Sequence, residues 1–485
     1  MKLLFIGIKP MRALLPSLVL MYMAVSIQSV NASYVISDSL ELDTVHKVIL
    51  QGSYLEASTG REEASEENNF QENLTEEQES LDHSFKYEGY YTFSSPQREL
   101  SSWEVLLRPW VVSNSSNELS DPFGQGGTSF EGEYLEMREF YVRKNILFGN
   151  PSYALTLGRQ QYSGDYGIWW DDSIESVQFD WDNTSNGGFI AYGQRLHSYS
   201  YNFNGSDHGT TNDLIADELD IAYLMAEYWI KPYSDLRVGV RLFAQNDFSV
   251  AHDNSDSSDF TGTKIGFFAA GNGINGQFKK LDYYADVSMT RGTHEHINSN
   301  GFLNGEVDSK GWAFLSDIGY QLSKGTKERR ISIRWGMTDK PDNQFAGNYV
   351  APIQSDRATN VGTYSTGISG TFLDNRFTNV VFAGVSFKAE VDDRSQLEFM
   401  VFDIRQRNSD LPLSATIGDN YADGDGKHIG KTFEVFYFNK MFPTAVNGNL
   451  LDAEYLVSAG FFNGGDAIVD KVFDFRFSVG INLRY

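Results

Sequence analysis

Two spacings in this chain place basic side chains where they could hold carboxylates. Arg237 and Arg241 stand four apart, as do Arg330 and Arg334, each pair in a stretch that alternates with apolar residues. Residues two or four apart on an extended strand share one face, so each pair projects as a ladder. The same phase sets Arg108, Arg476, Arg484, Lys264 and Lys280 on the polar face of their strands. A guanidinium is a planar fork that takes a carboxylate through two parallel hydrogen bonds. A row of such forks suits a polyanion that passes from one to the next. The phase also brings Glu104, Asp282, Asp286, Asp317, Glu434 and Asp474 to that face, so ion pairing for structure alone is an equal reading.

Asp171 and Glu175 could cleave a glycan as paired carboxylates, but nothing in the sequence sets their separation. Trp169 and Trp170 beside them could stack on sugar rings or sit in an interfacial girdle. His294-Glu295-His296 precedes Ser299. His296 and Ser299 are three apart and fall on opposite faces of a strand, so a nucleophile–base pair lacks its geometry, and the stretch reads as an extracellular loop. Asp419, Asp423 and Asp425 lack the glutamate that closes a calcium loop, and Asp253, Asp256 and Asp259 read the same way. Nine carboxylates between Glu62 and Asp82, with no base among them, read as a solvated segment rather than as a divalent-ion bridge to lipopolysaccharide. No catalytic triad, metal set or cofactor motif emerges, so neither enzyme activity nor a cofactor is expected.

Composition narrows the classes further. The net charge is −26, from 39 basic and 65 acidic residues, which argues against a nucleic-acid partner. Cysteine is absent, which excludes disulfide frameworks and thiolate chemistry. Forty-four glycines against 11 prolines, with 14% aromatics, fit strands and turns better than helices.

The elements that must position the arginines are strands. Period-two alternation marks about eighteen of them, from 44–56 to 470–485, including single strands over 187–201 and 217–232. Short turns alternate with long polar connections, among them 57–83, 114–132, 202–216 and 339–377. That segregation is the pattern of an outer-membrane barrel with short periplasmic turns and long extracellular loops. The last strand is the clearest: Phe473, Phe475, Phe477, Val479, Ile481, Leu483 and Tyr485 alternate with Asp474, Arg476, Ser478, Gly480, Asn482 and Arg484. A closed barrel of this size leaves a water-filled bore, and the charged inward positions require one. The connection 339–377 is long enough to fold back and restrict that bore.

Lys2, Lys9 and Arg12 precede an apolar run from Ala13 to Ile27, and Val30-Asn31-Ala32 offers a cleavage site. Residues 1–32 read as a secretory signal peptide, leaving residues 33–485 as the barrel. Cleavage would remove three positive charges and make the mature charge −29.

Between Arg138 and Glu175 the residues follow a known pattern. Arg138-Glu139-Phe140-Tyr141-Val142 is followed by Leu157-Gly158-Arg159-Gln160 and then by Trp169-Trp170-Asp171-Asp172-Ser173-Ile174-Glu175; Tyr228-Trp229 and Leu236 to Arg241 continue it. This order resembles the alginate export family of outer-membrane porins over roughly a quarter of the chain. The resemblance implies a monomeric eighteen-stranded barrel in the outer membrane of a Gram-negative cell, with an electropositive constriction that passes an anionic polysaccharide outward. Outer-membrane lipid and lipopolysaccharide would surround it, and periplasmic secretion-complex proteins could feed it. The resemblance carries pore-lining roles to Arg138 and Arg159, with Asp171 and Glu175 as carboxylate neighbours. Phase adds Arg237, Arg241, Arg334 and Arg476. The phase around Arg138 is broken. Arg159 falls in phase with Leu155 and Leu157, on the lipid face; a bulge at Gly158 would turn it inward, and without that bulge Arg159 is expected to sit above the membrane band with no role in the pore. A general or oligosaccharide uptake porin is the alternative function, and a β-rich polysaccharide or lipid hydrolase the second.

Overall fold

The computed structural model describes residues 33–37, 40–58, 77–95, 102–114, 132–163, 166, 168–195, 200–202, 221–248, 260–274, 277–297, 303–322, 327–341, 357–361, 364–370, 377–411, 413, 424–446, 449–468 and 472–484. The proposed signal peptide lies outside them. The strands are β1 (Ser33–Ser37), β2 (Leu40–Ser58), β3 (Glu77–Ser94), β4 (Trp103–Asn114), β5 (Gly132–Leu147), β6 (Asn150–Ser163), β7 (Asp171–Asp182), β8 (Asn186–Arg195), β9 (Ser200–Asn202), β10 (Ile221–Tyr233) and β11 (Leu236–Asp247). They continue as β12 (Phe260–Ile274), β13 (Gln277–Ile297), β14 (Leu303–Gln321), β15 (Arg329–Thr338), β16 (Arg357–Val361), β17 (Tyr364–Gly367), β18 (Val380–Glu390), β19 (Ser395–Gln406), β20 (His428–Val446), β21 (Asn449–Gly464) and β22 (Phe473–Arg484).

Eighteen of these form a closed antiparallel barrel; β1 and β9 are short additions to the same sheet, and β16 and β17 form a separate hairpin. The seam joins β2 to β22, from Lys47↔Arg484 to Glu56↔Phe475. Closure pairs the strand amides, as hydrocarbon requires. Leu157, Ile190, Phe267, Met289, Ile333 and Val385 are exposed on the outer face, where their alternation with buried neighbours puts them against lipid.

Several boundaries differ from the sequence expectation. The 57–83 connection is shorter, because β2 and β3 stay paired out to Ser58↔Glu77. The single strand expected over 187–201 divides: β8 ends at Arg195, and Ser200–Asn202 pairs instead with Tyr134–Glu136 of β5. The His294–His296 stretch is not a loop but an extension of β13, paired with Gly305–Val307. The connection 339–377 contains the β16–β17 hairpin.

The inward face is not polar all round. On β18 to β21 the inward positions include Phe382, Phe402, Ile404, Phe436, Phe438, Leu456 and Phe462, all buried. The expectation of charged and polar inward faces therefore does not extend to this wall. Its side chains bury against chain that comes in from the long-loop end. Phe377 packs on Phe382 with ring centroids 5.8 Å apart, and Ile368, Leu413 and Ile468 join the same cluster. Apolar surface on the inner side of a wet barrel is favourable only when something covers it.

Candidate functional site

Among the described residues, three clusters of inward cations stand out. The first lies on β2 to β7. Arg108 reaches Glu139 at 2.7 Å and Glu88 at 3.5 Å, and donates to Gln161 at 2.7 Å. Glu88 also takes Lys86 at 3.2 Å and Lys47 at 3.5 Å. The Trp110 ring lies among three cations, with Lys86 Nζ 3.4 Å from its centroid and the Arg108 and Arg138 guanidinium carbons at 5.0 Å. Cation–π contact of this kind fixes the basic side chains in extended form.

Arg138 owes its place to a bulge. The β4–β5 register passes from Arg108↔Glu139 to Pro109↔Met137, which leaves Arg138 as the extra residue of β5. Pro109 has no N–H to give the ladder, and bulges are where strands accommodate such a residue. The bulge lets Arg138 and Glu139 both join the inward cluster, which explains the broken phase. Arg138 pairs with Glu136 at 3.3 Å.

Arg159 is buried, 2.8 Å from Glu175 and 3.8 Å from Glu136. The bulge expected at Gly158 is absent: the β5–β6 and β6–β7 registers both run through it without a shift. A glycine torsion takes its place. Gly158 has φ +130°, and a Cβ there would stand 2.8 Å from the Tyr141 Cα. Asp171 opens β7, but its side chain lies outside the described residues.

The second cluster lies on β10 to β13. Arg241 is held by Glu227 at 2.7 Å, Asp286 at 3.1 Å and the Tyr284 hydroxyl at 2.9 Å, with the Phe268 ring 4.1 Å away. Arg237 stands 5.3 Å from the same ring and 6.0 Å from Trp229. Trp169 is fully buried rather than placed in a girdle or on an open stacking face. Its indole N–H donates to Asp286 at 2.8 Å, and Lys264 stands 4.4 Å from its ring. Trp170 is buried beside it, with ring centroids 5.8 Å apart. The connection from β6 to β7 thus reaches across to the strands around β12.

The third cluster lies on β13 to β15. Arg330 forks onto Asp282 and Asp317, both at 2.5 Å, and Arg334 takes the other Asp317 oxygen at 2.9 Å. Asp282, Asp286 and Asp317 are therefore the structural partners that phase pointed to. Glu88, Glu136, Glu139 and Glu227 were missed, although Lys86, Glu88 and Tyr90 share one strand phase that could have shown the first. Arg476 is half-buried on β22 and aligns with Leu55 of β2 and Gly460 of β21. Asp253, Asp256, Asp259, Asp419 and Asp423 lie outside the described residues. Among the described residues no acidic or histidine group is arranged to hold a metal.

The chain is 23% identical over 299 residues to the alginate production protein AlgE of Pseudomonas syringae pv. tomato, covering 55% of this chain and 57% of that protein. It is 24% identical over 195 residues to the protein of that name in Pseudomonas aeruginosa, covering 38% and 36%. Both similar proteins carry the name of the alginate export family that the motifs resemble. The chain spans about half the length of the curated relatives it matches. No protein-family profile matches it. Among solved structures it is similar to Pseudomonas aeruginosa OccK8 (OprE), with 11% identity, a TM-score of 0.47 and coverage of 91% of this chain and 98% of that one. It is also similar to Wzi of Escherichia coli, a carbohydrate-binding β-barrel, with 10% identity, a TM-score of 0.45 and coverage of 90% of this chain and 83% of that one.

Proposed function

We propose that this barrel is a passive outer-membrane channel that conducts an anionic polysaccharide, an alginate-like polyuronate, outward past its inward arginines. One observation carries the reading: Arg108, Arg138, Arg159, Arg241, Arg330 and Arg334 are all held inside the barrel, each with a carboxylate within ion-pair distance. A uronate carboxylate can compete for these forks through the same bidentate, charge-assisted hydrogen bonds. The bracing carboxylates hold the forks extended, which lowers the entropy lost when the polymer binds. Arg237 and Arg476 belong to the same reading, and Asp171 and Glu175 serve as carboxylate neighbours. The kinship with proteins named for alginate production favours a uronate polymer. No energy source is needed in the barrel; polymer synthesis on the periplasmic side would drive export.

The test is single-channel conductance in a planar bilayer. Polyuronate added to one side should block the current, and a neutral glucan of equal length should not. Equal passage of small neutral sugars with no polyuronate effect would favour a general uptake porin instead. Turnover of polysaccharide or lipid would favour a hydrolase.

A further inference from the structure

Two inward cations are held partly by main-chain carbonyls. Lys264 on β12 donates its ammonium to the carbonyl of Ile168. Arg334 on β15 donates to the carbonyl of Ile368 at 3.3 Å. Ile168 belongs to the connection between β6 and β7, and Ile368 to the connection between β15 and β18. Both come from the long-loop end and both are fully buried. Arg334 touches both segments, since its guanidinium also stands 5.7 Å from the Tyr166 ring.

A backbone carbonyl is a neutral acceptor. A carboxylate forms the charge-assisted version of the same bond, which is shorter and about twice as strong. In a water-poor interior the ionic partner gains further. The first segment also carries strain, since Tyr166 has φ +61°. Bulky residues in the left-handed region persist only where their surroundings hold them. The seats of the two segments are therefore built from exchangeable contacts.

We propose that Lys264 and Arg334 are two carboxylate-binding sites now filled by the chain's own carbonyls, and that a uronate carboxylate displaces Ile168 and Ile368 from them. The displaced segments then leave the bore, so the polymer opens its own path. Because Arg334 contacts both segments, release of one loosens the other. This inference rests on the polyuronate reading above, and Lys264 joins the polymer-contacting residues through it.

The chain has no cysteine, so a single introduced thiol reports cleanly. Ile168→Cys and, separately, Ile368→Cys keep the backbone carbonyl and place a thiol on each buried segment. Folding is checked by heat-modifiable mobility, and maleimide labelling is timed in detergent. Labelling should be slow at both sites. A mannuronate tetramer should speed it at least tenfold, and a neutral glucan tetramer should leave it unchanged. Arg334→Met should raise the ligand-free rate at both sites about fivefold, and Lys264→Met should raise it at Ile168→Cys. Fast labelling without ligand would overturn the inference. So would slow labelling that the tetramer does not change while it still blocks bilayer current; in that case the polyuronate reading stands and the displacement fails. A tetramer that neither blocks nor accelerates would remove both.

Discussion

The barrel has two kinds of inner wall. From β3 to β7 and from β10 to β15, inward positions carry Arg, Lys, Glu and Asp in networks closed at 2.5–3.8 Å. From β18 to β21 they carry Phe382, Phe402, Phe436 and Leu456. The contrast separates two tasks. Charged positions close buried ion networks on the inner wall, whereas apolar positions seat the chain that enters from the long-loop end. One barrel can thus hold a charged wall and a packed core side by side.

Substitutions should divide along that line. Arg241→Met should have the largest effect, because it leaves Glu227 and Asp286 without their shared cation. Losing one member of a buried ion network costs about 3–5 kcal/mol. Urea unfolding in lipid vesicles should show that loss, and anion selectivity should fall with it. Phe402→Ala on the apolar wall should cost about 3 kcal/mol through the cavity it opens. Its selectivity should stay at the wild-type value, and a selectivity change there would dissolve the distinction between the walls. Gly158→Ala should cost about 2 kcal/mol, because only glycine takes its torsion without strain. Selectivity should drop as well, since the substitution displaces Arg159 from Glu175. Lys86→Gln, which removes the cation nearest Trp110, should cost about 1 kcal/mol and can be followed by indole fluorescence.

The smallest effect belongs to the β18–β19 turn, outside the membrane-spanning strands. Asp392 accepts hydrogen bonds from the Ser395 hydroxyl and the Arg394 backbone N–H, which hold its carboxyl below the usual carboxylate range. A folded-state pKa that is lowered gives stability present above the unfolded value and lost as pH falls through the folded one. The turn should therefore loosen on acidification, and Asp392→Ala should remove that dependence, read by amide exchange at Ser395.

The strands were legible because lipid outside and water inside impose a strict period of two. The last strand, Phe473 to Leu483, carries it without a break, and other strands carry it less strictly. What local pattern could not reach depended on neighbours far along the chain. Arg138 looked out of phase because its direction comes from a bulge set against Pro109 on another strand. Arg159 looked lipid-facing because one glycine torsion, with no change in register, decides its side. Trp169 could be read as girdle or stacking surface, since its partner Asp286 lies 117 positions away. On β18 to β21 apolar residues occupy both faces, so alternation alone does not say which face is covered by returning chain.

The central claim is that fixed guanidinium groups set the sign of the bore in an otherwise acidic protein. The most direct measurement is the reversal potential of single channels across a tenfold KCl gradient, for the wild type and for the Arg108→Gln, Arg138→Gln, Arg334→Gln triple variant. The account predicts a wild-type potential displaced toward the chloride equilibrium value and a triple variant displaced toward that of potassium. A wild-type channel that already sits on the potassium side, or a triple variant with an unmoved potential, would contradict it.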